Sequence, residues 1–150
     1  MKQFKLKNLV STLIVTLLLN LPTGALADSL SRIEFVEEMV RLLTDGDDDV
    51  PVSVYADKTQ LTPDQQRALD IYTAKTGSRS GKAVRFSPNA PANHAQAAVM
   101  IHRWLNKQSI DMKKSDVAVR DAATVGWAAG AIQDLVGTAV ITPIQVADQA

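Results

Sequence analysis

Cysteine is absent from all 150 residues, and that removes several possibilities at once. A lipid-anchored start has no residue to acylate, there is no thiol nucleophile, and stability must come from packing instead of disulfides. Histidine is nearly as scarce. His94 and His102 are the only two; they share one helical segment, which is a poor basis for a catalytic triad. Their spacing of eight also misses the four-residue interval of a helical metal pair. No Gly-x-Ser-x-Gly elbow and no phosphate-binding glycine loop occurs. The acidic run Asp45-Gly46-Asp47-Asp48-Asp49 fails as a calcium loop, because its sixth and twelfth positions are Val50 and Ala56 where glycine and glutamate are required; it reads as a solvated acidic turn. The chain is therefore expected to be neither an enzyme nor a holder of a cofactor or metal. Long alternating apolar runs are missing too, so nothing demands a sheet.

What is present begins with a leader. Lys2, Lys5 and Lys7 open the chain without an acid among them, Leu9 to Leu21 follow as a mostly apolar stretch, and Pro22, Thr23 and Gly24 break it. Ala25-Leu26-Ala27 then offers small residues where a signal peptidase reads. The stretch falls short of the roughly 20 apolar residues that span a bilayer. Residues 1–27 are thus expected to be a cleavable signal peptide, with residues 28–150 as one domain starting at Asp28. The leader takes three of the 16 basic residues and none of the 16 acidic ones, which leaves a net charge of −3. That balance argues against nucleic acid or an anionic membrane surface as the main partner.

Apolar spacing predicts four helices and a mainly α fold. Residues 31–43 carry Val36, Met39, Val40 and Leu43 on one face, widened by Phe35 and Leu42. Residues 63–75 open with Thr62 as cap and Pro63 at the first helical position, present Ala68, Leu69 and Tyr72, and end at Gly77. Residues 94–106 align Ala97, Ile101, Trp104 and Leu105, and residues 126–136 align Trp127, Ala128, Ala131, Ile132 and Leu135. The pattern also repeats. Ser31-Arg32-Ile33-Glu34 returns as Asn93-His94-Ala95-Gln96, Tyr55-Ala56-Asp57 as Val119-Arg120-Asp121, and Ala68-Leu69 as Ala131-Ile132, at offsets of 62 to 64.

These pieces carry a family resemblance. Phe86-Ser87-Pro88-Asn89-Ala90-Pro91 followed by Asn93-His94-Ala95-Gln96 resembles the second half of an S-layer homology repeat, where a phenylalanine-x-proline loop leads into a Thr-Arg-Ala-Glu helix start. Leu30-Ser31-Arg32-Ile33-Glu34-Phe35 resembles that helix start more faithfully. Val119-x-Asp121 with Gly126-Trp127-Ala128 and Ala131-Ile132 is similar to a first half. The likeness extends over nearly all of residues 28–150 and amounts to about two repeat equivalents. It implies a small domain of helix-loop-helix repeats that attaches, without catalysis, to an acidic secondary cell-wall polysaccharide, often one bearing pyruvate ketals. It also implies a location outside the cell, secreted or wall-associated. Where three repeats are usual, either the first and last segments of this chain pair with each other or two chains combine.

Much of the motif is helix-start chemistry in its own right. Ser31 with Glu34, and Asn93 with Gln96, have the spacing of capping boxes, and Leu30 and Phe35 that of a hydrophobic staple. Arg32 is different, because a cation at the first helical position opposes the helix dipole. Beside free backbone N–H groups its guanidinium would complete an anion site suited to a carboxylate; the bland alternative is a solvated surface charge. In the family the matching arginine faces the polymer groove, so the resemblance implies the same for Arg32 and, at the second copy, for His94. His94 departs from the pattern, since a histidine is mostly neutral at pH 7. Trp127 matches the family's Trp-Ala position; core packing and a place in a sugar groove are both open to it, with packing the simpler reading. Trp104 reads as core. The rival to wall binding is a secreted interaction protein that keeps the helical scaffold without the sugar site, its partner another surface protein or a second copy of itself.

Overall fold

The computed structural model describes residues 30–45, 48–113 and 122–138. The proposed leader and the 119–121 copy of Tyr55-Ala56-Asp57 lie outside them. Four α-helices and one short 3-10 turn, Lys58–Gln60, make up the described secondary structure. Two isolated bridges, Ser31 with Pro91 and Tyr55 with Gly81, are the β-type pairings among the described residues.

Helix α1, Arg32–Leu43, starts where its cap dictates. Ser31 Oγ accepts from Glu34 N–H at 3.3 Å and Glu34 Oε2 accepts from Ser31 N–H at 2.7 Å, so two donors left unpaired by the helix start are satisfied locally. Helix α2, Pro63–Thr76, repeats the device through Thr62 and Gln65, at 3.1 and 3.2 Å. It stops at Gly77, whose left-handed backbone (φ 64°) turns its N–H to the carbonyl of Thr73. Helix α3, His94–Lys107, opens with the Asn93–Gln96 box. All three starts therefore fall where the sequence puts them. Helix α4 spans Ala122–Gly137 and begins four residues earlier than expected. The glycine at 126 looked like a boundary, but Ala122 and Ala123 are strong helix formers and carry the helix through it.

Packing follows the chain: α2 lies against both α1 and α3, and α4 against α3. Phe35, Val36 and Met39 of α1, Leu69 and Ile71 of α2, Ile101 and Leu105 of α3 and Leu135 of α4 are the most completely enclosed side chains. Each contributes about 1.5–3 kcal/mol by leaving water. Trp104 is buried as expected. Trp127 is not: it is 60% exposed. The face of α4 turned to α3 is Ala128, Ile132 and Leu135, at the i, i+4, i+7 spacing, which leaves Trp127 one position off that stripe. The packing reading of Trp127 is thus corrected.

Two polar ties hold the layers. Lys58 donates to the carbonyl of Ser53 at 2.9 Å and to Asp70, which also accepts from Ser53 N–H (2.8 Å) and hydroxyl (2.6 Å), all buried. His102 Nε2 meets Asp134 Oδ2 at 2.7 Å and joins α3 to α4. The acidic turn is less solvated than its composition suggests. Asp48 forms an ion pair with Lys75 of α2 at 3.4 Å, and its carbonyl accepts from Arg67. No described helix is long and apolar enough to cross a membrane.

Candidate functional site

The site forms where the start of α1 meets the loop that leads into α3. Leu30 O accepts from Ala92 N–H at 2.8 Å, Arg32 N–H donates to Ala90 O at 2.8 Å, and Ile33 N–H donates to Pro88 O at 3.1 Å. This overturns one expectation. The backbone donators beside Arg32 are not free, because loop carbonyls have taken them, so any anion affinity here rests on the guanidinium.

That guanidinium is held in place. Its central carbon sits 4.8 Å from the centroid of the Phe86 ring, within the range of a cation–π contact. Phe86 in turn packs edge-on against Tyr55 (5.8 Å) and Tyr72 (6.1 Å), and Tyr72 leans on Trp104 at 6.3 Å. A buried aromatic spine thus carries the arginine on its end. Arg32 Nε is enclosed without a hydrogen-bond partner, and no described carboxylate forms an ion pair with the side chain.

The loop beneath is fixed by Asp57. Its two oxygens accept from the N–H groups of Phe86 (3.0 Å) and Ser87 (2.9 Å). Ser87 adopts a left-handed backbone (φ 58°) as the chain turns back toward Ala90, whose N–H reaches Ser87 O at 3.1 Å. Burial works against the charge of Asp57, but those backbone donors and the nearby Arg85 hold its carboxyl below the usual value. Burial pushes the hydroxyl of Tyr72 up to about 12, against the opposing pull of Arg103 and Arg32. Tyr55 is raised by the same cause and bonds Thr73 Oγ1 at 2.9 Å. Neither phenol is a proton donor or acceptor of use near neutral pH.

The structure distributes the candidate residues unevenly. Ser31, Glu34, Asn93 and Gln96 are engaged in capping boxes and have little left to offer a ligand. His94 takes the first position of α3, equivalent to that of Arg32 in α1; its side chain lies outside the described residues. Trp127 stands on the open side of α4, with no described ring contact to the spine. Of the two expected ligand residues whose side chains are described, Arg32 and Trp127, Arg32 alone has a built environment. Phe86 as its platform and Asp57 as the brace of the loop were not assigned those roles from sequence. Phe86 lay in the phenylalanine-x-proline motif and Asp57 in the repeated Tyr-Ala-Asp, which were the available signals. No family model, curated protein or solved structure matches this chain.

Proposed function

We propose that this chain is an exported, non-catalytic module of the S-layer homology kind, with about two repeat equivalents, that holds an acidic secondary cell-wall polysaccharide of the pyruvylated type at Arg32. The observation that carries the reading is the state of that arginine. Its guanidinium is oriented by Phe86, its Nε is enclosed and unpartnered, and no described carboxylate neutralises it. A planar, pre-oriented fork of this kind suits a ligand carboxylate, because little side-chain entropy remains to be lost on binding. The capping boxes at Ser31 and Asn93, 62 residues apart with a further box at Thr62 between them, are compatible with a repeat of helix starts. Neither a cofactor nor a metal enters the reading.

A second reading has its own support. Trp127, Val52 and Val54 are exposed apolar side chains, and Asn93-His94-Ala95-Gln96 departs from the sugar-binding pattern. A secreted protein-interaction module would make use of such a surface and need no sugar. Co-sedimentation of the purified protein with cell-wall sacculi separates the two. Wall binding predicts pelleting with polymer-bearing sacculi and loss of pelleting once the polymer is extracted. Protein that stays in the supernatant in both cases promotes the interaction module.

A further inference from the structure

The segment 53–58 carries two sets of ties that face different ways. Toward α2, both of its ends converge on one carboxylate. Asp70 accepts from Ser53 N–H at 2.8 Å and from the Ser53 hydroxyl at 2.6 Å. It also pairs with Lys58 Nζ, which in turn donates to Ser53 O at 2.9 Å. The segment is thus closed on itself and fastened to one point of the helix. Between its ends, Tyr55 bonds Thr73 of α2 at 2.9 Å. Ser53, Lys58 and Asp70 are all buried, and none of their polar atoms is enclosed without a partner.

Away from α2, the same segment holds the chain that leads to Phe86. Gly81 N–H donates to Val54 O at 2.6 Å, and Ala56 N–H donates to Val84 O at 2.8 Å. Asp57 accepts from the N–H groups of Phe86 and Ser87, with Arg85 as a charged neighbour. The Tyr55 ring meets the Phe86 ring edge-on. Phe86 is therefore gripped twice from this segment, at its backbone by Asp57 and at its ring by Tyr55. Arg32 rests on that ring.

Burying an ion pair adds little net stability. Desolvating both charges offsets most of their attraction, and apolar residues of similar volume are often at least as stabilising. What a fully satisfied polar cluster supplies is one defined geometry. An apolar contact between 53–58 and α2 would tolerate sliding, whereas a shared carboxylate that Ser53 and Lys58 must both meet does not. We propose that Lys58, Ser53 and Asp70 are positioning residues for Arg32. They set the register of 53–58 on α2, which places Asp57 and Tyr55, which place Phe86 beneath the guanidinium. The placement of Arg32 is a property of the free protein; its consequence for affinity rests on the wall-polymer reading.

The double variant K58M/D70L removes the pair and keeps apolar bulk, while Leu135→Ala on α4 controls for instability in general. The readout is the Arg32 Nε–H signal in proton–nitrogen correlation spectra of the purified, ligand-free protein. That group is enclosed and belongs to a guanidinium over the Phe86 ring. In the wild type and in Leu135→Ala it should exchange slowly with solvent and be displaced upfield by the ring. In K58M/D70L both signatures should be lost while the melting temperature stays near that of the wild type. If the double variant does not fold, Asp70→Asn carries the test: its amide oxygen still accepts from Ser53, the ion pair is gone, and the signal should move part of the way. An unmoved signal in the folded variant, or an equal movement in Leu135→Ala, overturns the proposal. Failure of both variants to fold overturns it too, since the cluster then holds the fold and not the site. Polymer-bearing sacculi should bind K58M/D70L, or Asp70→Asn in its place, about two- to ten-fold more weakly than wild type, because one long side chain must then be ordered on binding. Equal pelleting despite a moved signal overturns the positioning role and leaves the wall reading intact. If the signal moves but wild-type protein ignores the sacculi, the placement of Arg32 stands and the wall reading falls.

Discussion

At the scale of single residues, short-range chemistry and long-range chemistry part company. A capping box needs only two residues three apart, so Ser31–Glu34 and Asn93–Gln96 were legible before any fold was known, and both form. Ser31→Ala is expected to lower stability by about 1 kcal/mol, read as a fall in the midpoint of chemical denaturation; an unchanged midpoint means the cap contributes nothing. By contrast, the ring under Arg32 and the Lys58–Asp70–Ser53 cluster join residues that no local pattern links, and sequence reasoning did not find them. It also supplied a wrong detail. The N–H groups expected to be open beside Arg32 are closed by Ala90 and Pro88 carbonyls, because a loop remote in sequence docks there. The buried acids give a pH prediction with a definite sign. The carboxyls of Asp57 and Asp70 are held below their ordinary value of 3.8, against the cost of burial, by backbone donors at Asp57 and by Lys58 and Ser53 at Asp70. Their stabilisation is therefore fully present above that ordinary value and is lost as pH falls through the lower folded-state values. Thermal stability should be flat in the neutral range and drop below about pH 4, and Asp57→Asn should flatten the drop while lowering stability at pH 7. An acid response identical to wild type in that variant contradicts the brace assigned to Asp57.

Among the elements, periodicity located all four helices and the centre of each buried face, while Ile33, Ile71, Ala95, Ala98 and Met100, also buried, fell outside the stripes it drew. It erred on α4 in two ways with one origin. Apolar spacing alone starts the helix at about Gly126 and places Trp127 on its stripe. The helix instead runs through Gly126 from Ala122, and the narrow stripe Ala128, Ile132, Leu135 suffices to seat it on α3. Size alone did not decide burial; position relative to the neighbouring helix did. Leu135→Ala is expected to cost about 2–5 kcal/mol, and Trp127→Ala less than about 0.5 kcal/mol, as for an exposed site. Denaturation midpoints of the two variants test the assignment, and a large loss from Trp127→Ala reverses it. The helix end at Gly77 is a sharper case. Its φ of 64° is one that side chains adopt at a cost of roughly 1 kcal/mol, although the space beyond it, lined by Lys107, admits a methyl group. Gly77→Ala should destabilise by about that amount through backbone strain.

For the whole molecule, three proposals stand together: an exported chain, a helical repeat scaffold and an aromatic-backed arginine site for an acidic polymer. Export has a direct check, since mass spectrometry of the protein recovered from medium or cell surface should give an N-terminus at Asp28, and an intact Met1 on that material contradicts the leader. The helical class is visible in the structure, and three of its helix starts were legible because each rests on a local cap. The most direct test of the central claim is the affinity of wild type, Arg32→Ala and Arg32→Lys for polymer-bearing sacculi. A charge-assisted hydrogen bond contributes roughly 1.5–3 kcal/mol, so Arg32→Ala should weaken binding by about ten- to a hundred-fold, with Arg32→Lys recovering only part because an ammonium cannot make two parallel bonds. Equal binding by all three proteins, with the fold intact, contradicts the account.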